Sequence, residues 1–132
     1  MRILIKSFVV VAIVFLVVDY LWLAKIAPAF YRKEIGHLLG NVNYLAAAIF
    51  YTIYVVGIVY FVILPSLESG NLNKALISGV IYGIVCYGTY DLTNMATLQG
   101  WTWKVVIVDI LWGGFVTGLA ATISFYIIKV LL

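Results

Sequence analysis

The run FVVVAIVFLVVDYLWLAK, residues 8–25, decides which class of protein this chain forms. It is apolar over almost its whole length, and the hydrocarbon core of a bilayer requires about 20 such residues in one helix. Three more long runs with little charge follow it. Of the 132 residues 66% are apolar and 10% are charged, whereas a soluble domain has about 25% charged residues. The sequence therefore predicts an all-α, polytopic integral membrane protein.

Four transmembrane helices are expected, packed as one bundle in a single domain that covers residues 1–132. Pro65 and Gly100 follow the second and third apolar runs and are typical residues for ending a helix. The predicted bounds of the four helices are about 3–25, 44–64, 72–98 and 102–129.

The first loop is predicted to contain a short interfacial helix, at about residues 28–39. Pro28 suits the first turn of a helix, and Gly40 suits the position just beyond its end. Apolar and charged residues alternate between them, as in a helix that lies on the membrane surface.

The two ends of the bundle carry equal numbers of basic residues. Face A is defined as the side with both termini and the turn after the second helix. Face B carries the first loop and the QGWTW turn, residues 99–103. Four Lys or Arg residues fall on each face, so the positive-inside rule leaves the orientation undetermined. The charged α-amine tips the balance towards both termini in the cytoplasm.

Asp19, Asp91 and Asp109 lie inside predicted membrane helices. At 1.5 Å per residue each lies about 10 Å below face B, so the three side chains are predicted to meet. A carboxylate in a membrane costs about 2.5–3.5 kcal/mol and faces the protein interior or a wet cavity. No Lys or Arg lies at that depth. Either some of the carboxyls are protonated or a cation lies among them.

Part of the acidic pattern is repeated, since VVDYLWLA, residues 17–24, returns as IVDILWGG, residues 107–114. Each copy places a Trp three residues after an Asp, close to the same helical face. The two copies indicate one task, holding an Asp over a Trp at the mouth of a bundle. Tyr20, Tyr54 and Tyr90 add further hydroxyls near the aspartates. The supporting residues predicted for the pocket are Asn94, Trp22, Trp112, Tyr87, Tyr51 and His37.

Small residues predict which helices pack most closely. Gly79 and Gly83 on the third helix, and Gly114 and Gly118 on the fourth, form small-xxx-small pairs. Such pairs let two helix backbones approach each other in a membrane. Close packing of the third and fourth helices is the expected result.

Three functions are open to a buried acidic, aromatic pocket. The first is binding of a cation or a small cationic or lipid ligand, which as transport requires a homodimer or higher oligomer. In this version a divalent cation held by Asp19, Asp91 and Asp109 is a candidate cofactor. The second is an enzyme that uses a protonated Asp as general acid on a lipid or isoprenoid. The third is a structural subunit whose carboxyls hold helices together.

The basic residues near the helix ends point to the lipid bilayer as a partner and away from nucleic acid. Four motifs also make the chain resemble a family of small bacterial four-helix proteins, described as predicted membrane proteins of unknown function. The resemblance implies a multi-pass protein of the inner (plasma) membrane and supplies no activity. The motifs that carry it are DYLWL (19–23), FYRKEIGHLL (30–39), YGTYDLTNMATLQGW (87–101) and VDILWG (108–113).

Overall fold

The computed structural model describes residues 2–132, and the secondary structure in that range is helical. Short π turns at Trp22–Ile26 and Val59–Ile63 join the first two helices, and the next two, without a break. The chain thus forms four continuous segments, each long and apolar enough to cross a membrane. This confirms the predicted all-α, four-helix membrane bundle. The helices are α1 Arg2–Leu21, α2 Ala27–Ile35, α3 Tyr44–Ile58, α4 Leu64–Ser69, α5 Leu72–Thr97 and α6 Trp103–Leu131.

The short helix predicted in the first loop is present as α2, and it continues directly from α1. The sequence predicts that the first helix ends at about Lys25, but the structure carries helical backbone on to Leu38. Pro28 lies in the first turn of α2, where it has no N–H to donate. The π turn just before it is the local adjustment that keeps the backbone helical. No flexible linker separates α2 from the first span.

The second span also runs further than its sequence suggests. Its predicted end is Leu64, before Pro65, whereas the structure continues through α4 to Ser69. The π turn ahead of Pro65 again accommodates the missing N–H, so the proline does not stop the helix. Gly70 ends it instead, with φ 68° in the left-handed region that glycine adopts without strain.

The third and fourth spans, α5 and α6, form the most extensive helix pair in the fold. A side chain at Gly79 would meet the backbone of Gly118 and the Cβ of Ala121. One at Gly83 would meet the backbone carbonyl of Gly113. The glycines therefore bring the two backbones together, which confirms the predicted packing of these helices.

The first half of α3 stands apart from α5 and α6. Its residues from Tyr44 to Ile53 are exposed, except for the half-buried Ala47 and Tyr51. The second span meets α5 and α6 mainly through its π turn, and Tyr82 of α5 lies directly against Gly57. Closer to face B, Tyr54 of α3 packs edge-on against Tyr87 of α5 at 6.0 Å, and beyond this pair the two helices separate. The packed core includes Val11, Phe15, Ile58, Val62, Val116 and Phe125.

Candidate functional site

Asp19 lies near the end of α1 and is 4% exposed. Its Oδ2 accepts a hydrogen bond from the Tyr51 hydroxyl at 2.5 Å, and its Oδ1 accepts one from Trp112 Nε1 at 3.2 Å. These donors belong to α3 and α6, so one carboxyl connects three spans. Hydrogen bonds from two donors compensate part of the cost of burying this group.

Asp109 occupies the corresponding position on α6 and is 6% exposed. It accepts a hydrogen bond from the Tyr31 hydroxyl of α2. A second contact holds α2 in place, because Thr102 Oγ1 donates to Glu34 Oε1 at 3.0 Å. The same Thr102 oxygen caps α6 by accepting from the Val105 N–H at 3.2 Å. The helix α2 is thus attached at two points, by Tyr31 to Asp109 of α6 and by Glu34 to Thr102 at the start of α6.

The two tryptophans of the repeated motif meet face to face. The rings of Trp22 and Trp112 stack with centroids 4.6 Å apart and an interplanar angle of 13°. Tyr31 packs edge-on against Trp22 at 6.5 Å. The repeat therefore has a structural meaning: its two Trp rings stack on each other, and its two Asp residues both line one cavity. It builds one wall of a pocket from two helices.

A cavity of about 350 Å³ lies between these groups. Two aspartates and eight aromatic side chains surround it, and among residues 2–132 no Lys, Arg or His lines it. The walls come from α1, α2, α3, α5 and α6 and from the π turn after α1. The lining residues are Asp19, Trp22, Leu23, Tyr31, Phe50, Tyr51, Tyr54, Cys86, Tyr87, Tyr90, Asp109 and Trp112.

Asp91 does not line this cavity, although it is fully buried. Within residues 2–132 neither of its oxygens has a hydrogen-bond partner, and Trp101 Nε1 has none either. Trp101 packs edge-on against Tyr90, which lines the pocket, whereas Trp101 does not. The structure therefore brings together two of the three predicted aspartates.

The remaining predicted supporting residues fall into two groups. Trp22, Trp112, Tyr51 and Tyr87 line the cavity, whereas Asn94 and His37 do not. The exposed His37 imidazole lies against Gly100 at face B. In the described part of the chain, no cluster of three or more His, Cys, Asp or Glu residues is arranged to hold a metal ion. The expected tri-aspartate metal site is not assembled.

Sequence reasoning missed Leu23, Tyr31, Phe50 and Cys86 as pocket residues. Tyr31 is 78 residues from its partner Asp109 and belongs to a helix expected to lie on the surface. Phe50 resembles many other apolar residues of a membrane helix. Tyr54 and Tyr90 were expected near the aspartates and do line the cavity. The sequence indicated these two residues because each places a hydroxyl inside an apolar helix at about the depth of the aspartates.

The two kinds of buried aspartate are expected to respond differently to removal. Asp91→Leu should leave the melting temperature unchanged or raise it, because it replaces a buried carboxyl that makes no hydrogen bond of normal geometry in the described chain. Asp19→Leu should lower it, since Tyr51 and Trp112 would lose their acceptor at about 1–3 kcal/mol for each unsatisfied group. Thermal unfolding of both variants in one detergent makes the comparison. An equal fall in both would show that Asp91 is also held by stabilising contacts.

The four apolar spans and the buried polar groups between them define the class, an α-helical integral membrane protein. Within that class the chain belongs to the DUF2177 family of predicted membrane proteins, whose model matches residues 4–126. Neither a curated protein nor a solved structure shows significant similarity to it. The family membership agrees with the resemblance in the sequence motifs.

Proposed function

We propose that this protein binds a small organic cation in the pocket between Asp19 and Asp109. The observation that carries the proposal is the composition of the pocket wall, two buried carboxyls and eight aromatic rings with no basic side chain among the described lining residues. A positive charge there would be compensated by the aspartates. Its apolar substituents would lie against the rings.

The carboxyls favour a cation because protein groups neutralise them only in part. Asp19 and Asp109 are almost fully buried and receive neutral donors, the hydroxyls of Tyr51 and Tyr31 and the Trp112 indole N–H. Neutral donors orient a carboxylate without removing its charge, and an uncompensated charge is costly in an apolar medium. A bound cation would offset that cost.

The wall favours an organic cation over a metal ion. Calcium takes about 6–8 oxygen ligands, and magnesium requires near-octahedral oxygen geometry. The pocket has two aspartates, and eight of its other lining residues are aromatic. Aromatic faces attract ammonium groups, and aromatic cages are the usual sites for quaternary ammonium ions. A substituted ammonium ion therefore fits the chemistry of the pocket.

Asp19, Asp109 and the eight aromatic rings of the proposal all belong to one chain. The two sequence-based alternatives, an enzyme acting on a lipid or isoprenoid and a structural subunit, stay predictions. The structural alternative gains some support from the hydrogen bonds of Asp19 and Asp109, and the experiment below separates it from ligand binding.

The single cysteine of the chain, Cys86, lines the pocket and so reports on its occupancy. Benzyltrimethylammonium is expected to slow alkylation of Cys86 by N-ethylmaleimide in a saturable manner, because the bound cation covers the thiol. Benzyl alcohol, which has the ring without the charge, is expected to give no protection. Mass spectrometry of the quenched protein measures the alkylated fraction.

A matched control places the thiol one residue away, facing lipid. Val85 is 59% exposed, so a Cys86→Ala/Val85→Cys variant should react at a rate that the cation does not change. If benzyltrimethylammonium protects neither thiol at any concentration, the pocket does not bind organic cations. The aspartates would then be left with the structural role.

A further inference from the structure

We infer that the cation is amphiphilic and enters the pocket sideways from the bilayer, through the gap between α3 and α5. The inference rests on the proposed function and names the class of ligand, an ammonium headgroup with one apolar chain. Three features of the structure support it: a covered end at face B, an open side, and a closed floor to the gap.

The end of the pocket at face B is covered by α2. Tyr31 reaches from α2 to Asp109 and lines the pocket. Ile35 of α2 is 4% exposed and packs with Trp101, just before α6, and with Val105 on the first turn of α6. Together with the bond between Thr102 and Glu34, these contacts keep α2 against α6. A ligand with a long apolar chain arriving from water at face B would have to displace this helix, whereas a small ion would not.

The side of the pocket between α3 and α5 is open. Phe50 of α3 and Tyr90 of α5 both line the cavity, yet they are 47% and 55% exposed. At 1.5 Å per residue both lie about 10 Å below face B, within the hydrocarbon region. The exposed face of each ring therefore meets lipid chains, and the cavity communicates with the bilayer between the two rings.

The gap ends below where Tyr54 packs against Tyr87 at 6.0 Å and Gly57 contacts Tyr82. Tyr82 also packs against Tyr54 at 5.3 Å and Phe61 at 6.1 Å, so aromatic rings close this level. A ligand chain lying in the gap would follow it outwards into the leaflet. The headgroup would reach Asp19 and Asp109 while the chain stayed among lipids.

Two ammonium ions with the same trimethylammonium headgroup test this, tetramethylammonium and decyltrimethylammonium. In liposomes the concentration that half-protects Cys86 should be far lower for the decyl compound, by roughly tenfold for every two methylene groups that partition into the bilayer. Decyl glucoside, which has the chain without the charge, should not protect. The Cys86→Ala/Val85→Cys protein again serves as the unprotected control.

A variant that blocks the gap distinguishes lateral entry of the ligand from simple enrichment of the ligand in the bilayer. Ala47 is half-buried on the side of α3 that also carries Phe50 and Tyr54, whereas Ala48 is exposed. Ala47→Trp should remove most of the advantage of decyltrimethylammonium and leave protection by tetramethylammonium intact. Ala48→Trp should leave both unchanged.

The outcomes distinguish the two proposals. Tetramethylammonium protection without any gain for the decyl compound, or a gain that survives in Ala47→Trp, would overturn lateral entry and leave the pocket as a cation site. Failure of both ammonium ions to protect Cys86 in the wild type would remove the cation site itself. Retained tetramethylammonium protection in Ala47→Trp also shows that this variant is folded.

Discussion

Asp19→Asn and Asp109→Asn together are expected to abolish protection of Cys86 by benzyltrimethylammonium. Asparagine keeps the size of each side chain and an acceptor oxygen for the Tyr51 and Tyr31 hydroxyls, but it removes the negative charge. Loss of one partner of a buried charge pair costs about 2–5 kcal/mol, so roughly a 30-fold or larger loss of affinity is expected. The concentration giving half-protection measures it.

Asp91→Asn is the matched control for that result. It removes a charge from an equally buried aspartate that does not line the pocket. Protection of Cys86 should stay within a few-fold of the wild-type value. If Asp91→Asn weakened binding as much as the double variant, the assignment of the cation site to Asp19 and Asp109 would be wrong.

Gly83→Ala is expected to destabilise the bundle strongly, because a Cβ at this position would meet the carbonyl carbon and oxygen of Gly113. Backbone cannot turn aside as a flexible side chain can, so α5 and α6 must move apart. Overpacking of this kind costs about 1–3 kcal/mol. A lower melting temperature in detergent, measured by circular dichroism, is the expected observation.

Gly88→Ala provides the comparison on the same helix. A Cβ there would lie at 3.8 Å from Ile110 Cδ1, an ordinary contact distance. Alanine is also the better helix former by about 1 kcal/mol, so the melting temperature should hold or rise. Equal losses in Gly83→Ala and Gly88→Ala would mean that α5 and α6 are less closely packed than described.

The fold could be predicted well from the sequence because its signals are local. Four apolar runs, glycine pairs and interfacial turns each report on their own segment. The ends of two spans were harder, since Pro28 and Pro65 usually mark a boundary. Here a π turn precedes each proline and the helix continues. That adjustment has no clear signature in the residues around it.

The site could be predicted only in part because depth is readable from sequence and rotation about a helix axis is not. Asp91 has the same depth as its two counterparts, but it follows the pocket residue Tyr90, and one residue turns a helix by about 100°. The role of Tyr31 could not be predicted for a different reason. Its contact with Asp109 depends on α2 folding onto α6, which is a tertiary event.

Calorimetric titration measures whether Asp19 and Asp109 hold a cation. Benzyltrimethylammonium would be titrated into wild-type protein and into the Asp19→Asn/Asp109→Asn variant, both in lipid nanodiscs. Saturable binding of one cation per chain, lost in the variant, is the predicted result. Absence of saturable heat in the wild type, or an unchanged isotherm in the variant, would contradict it.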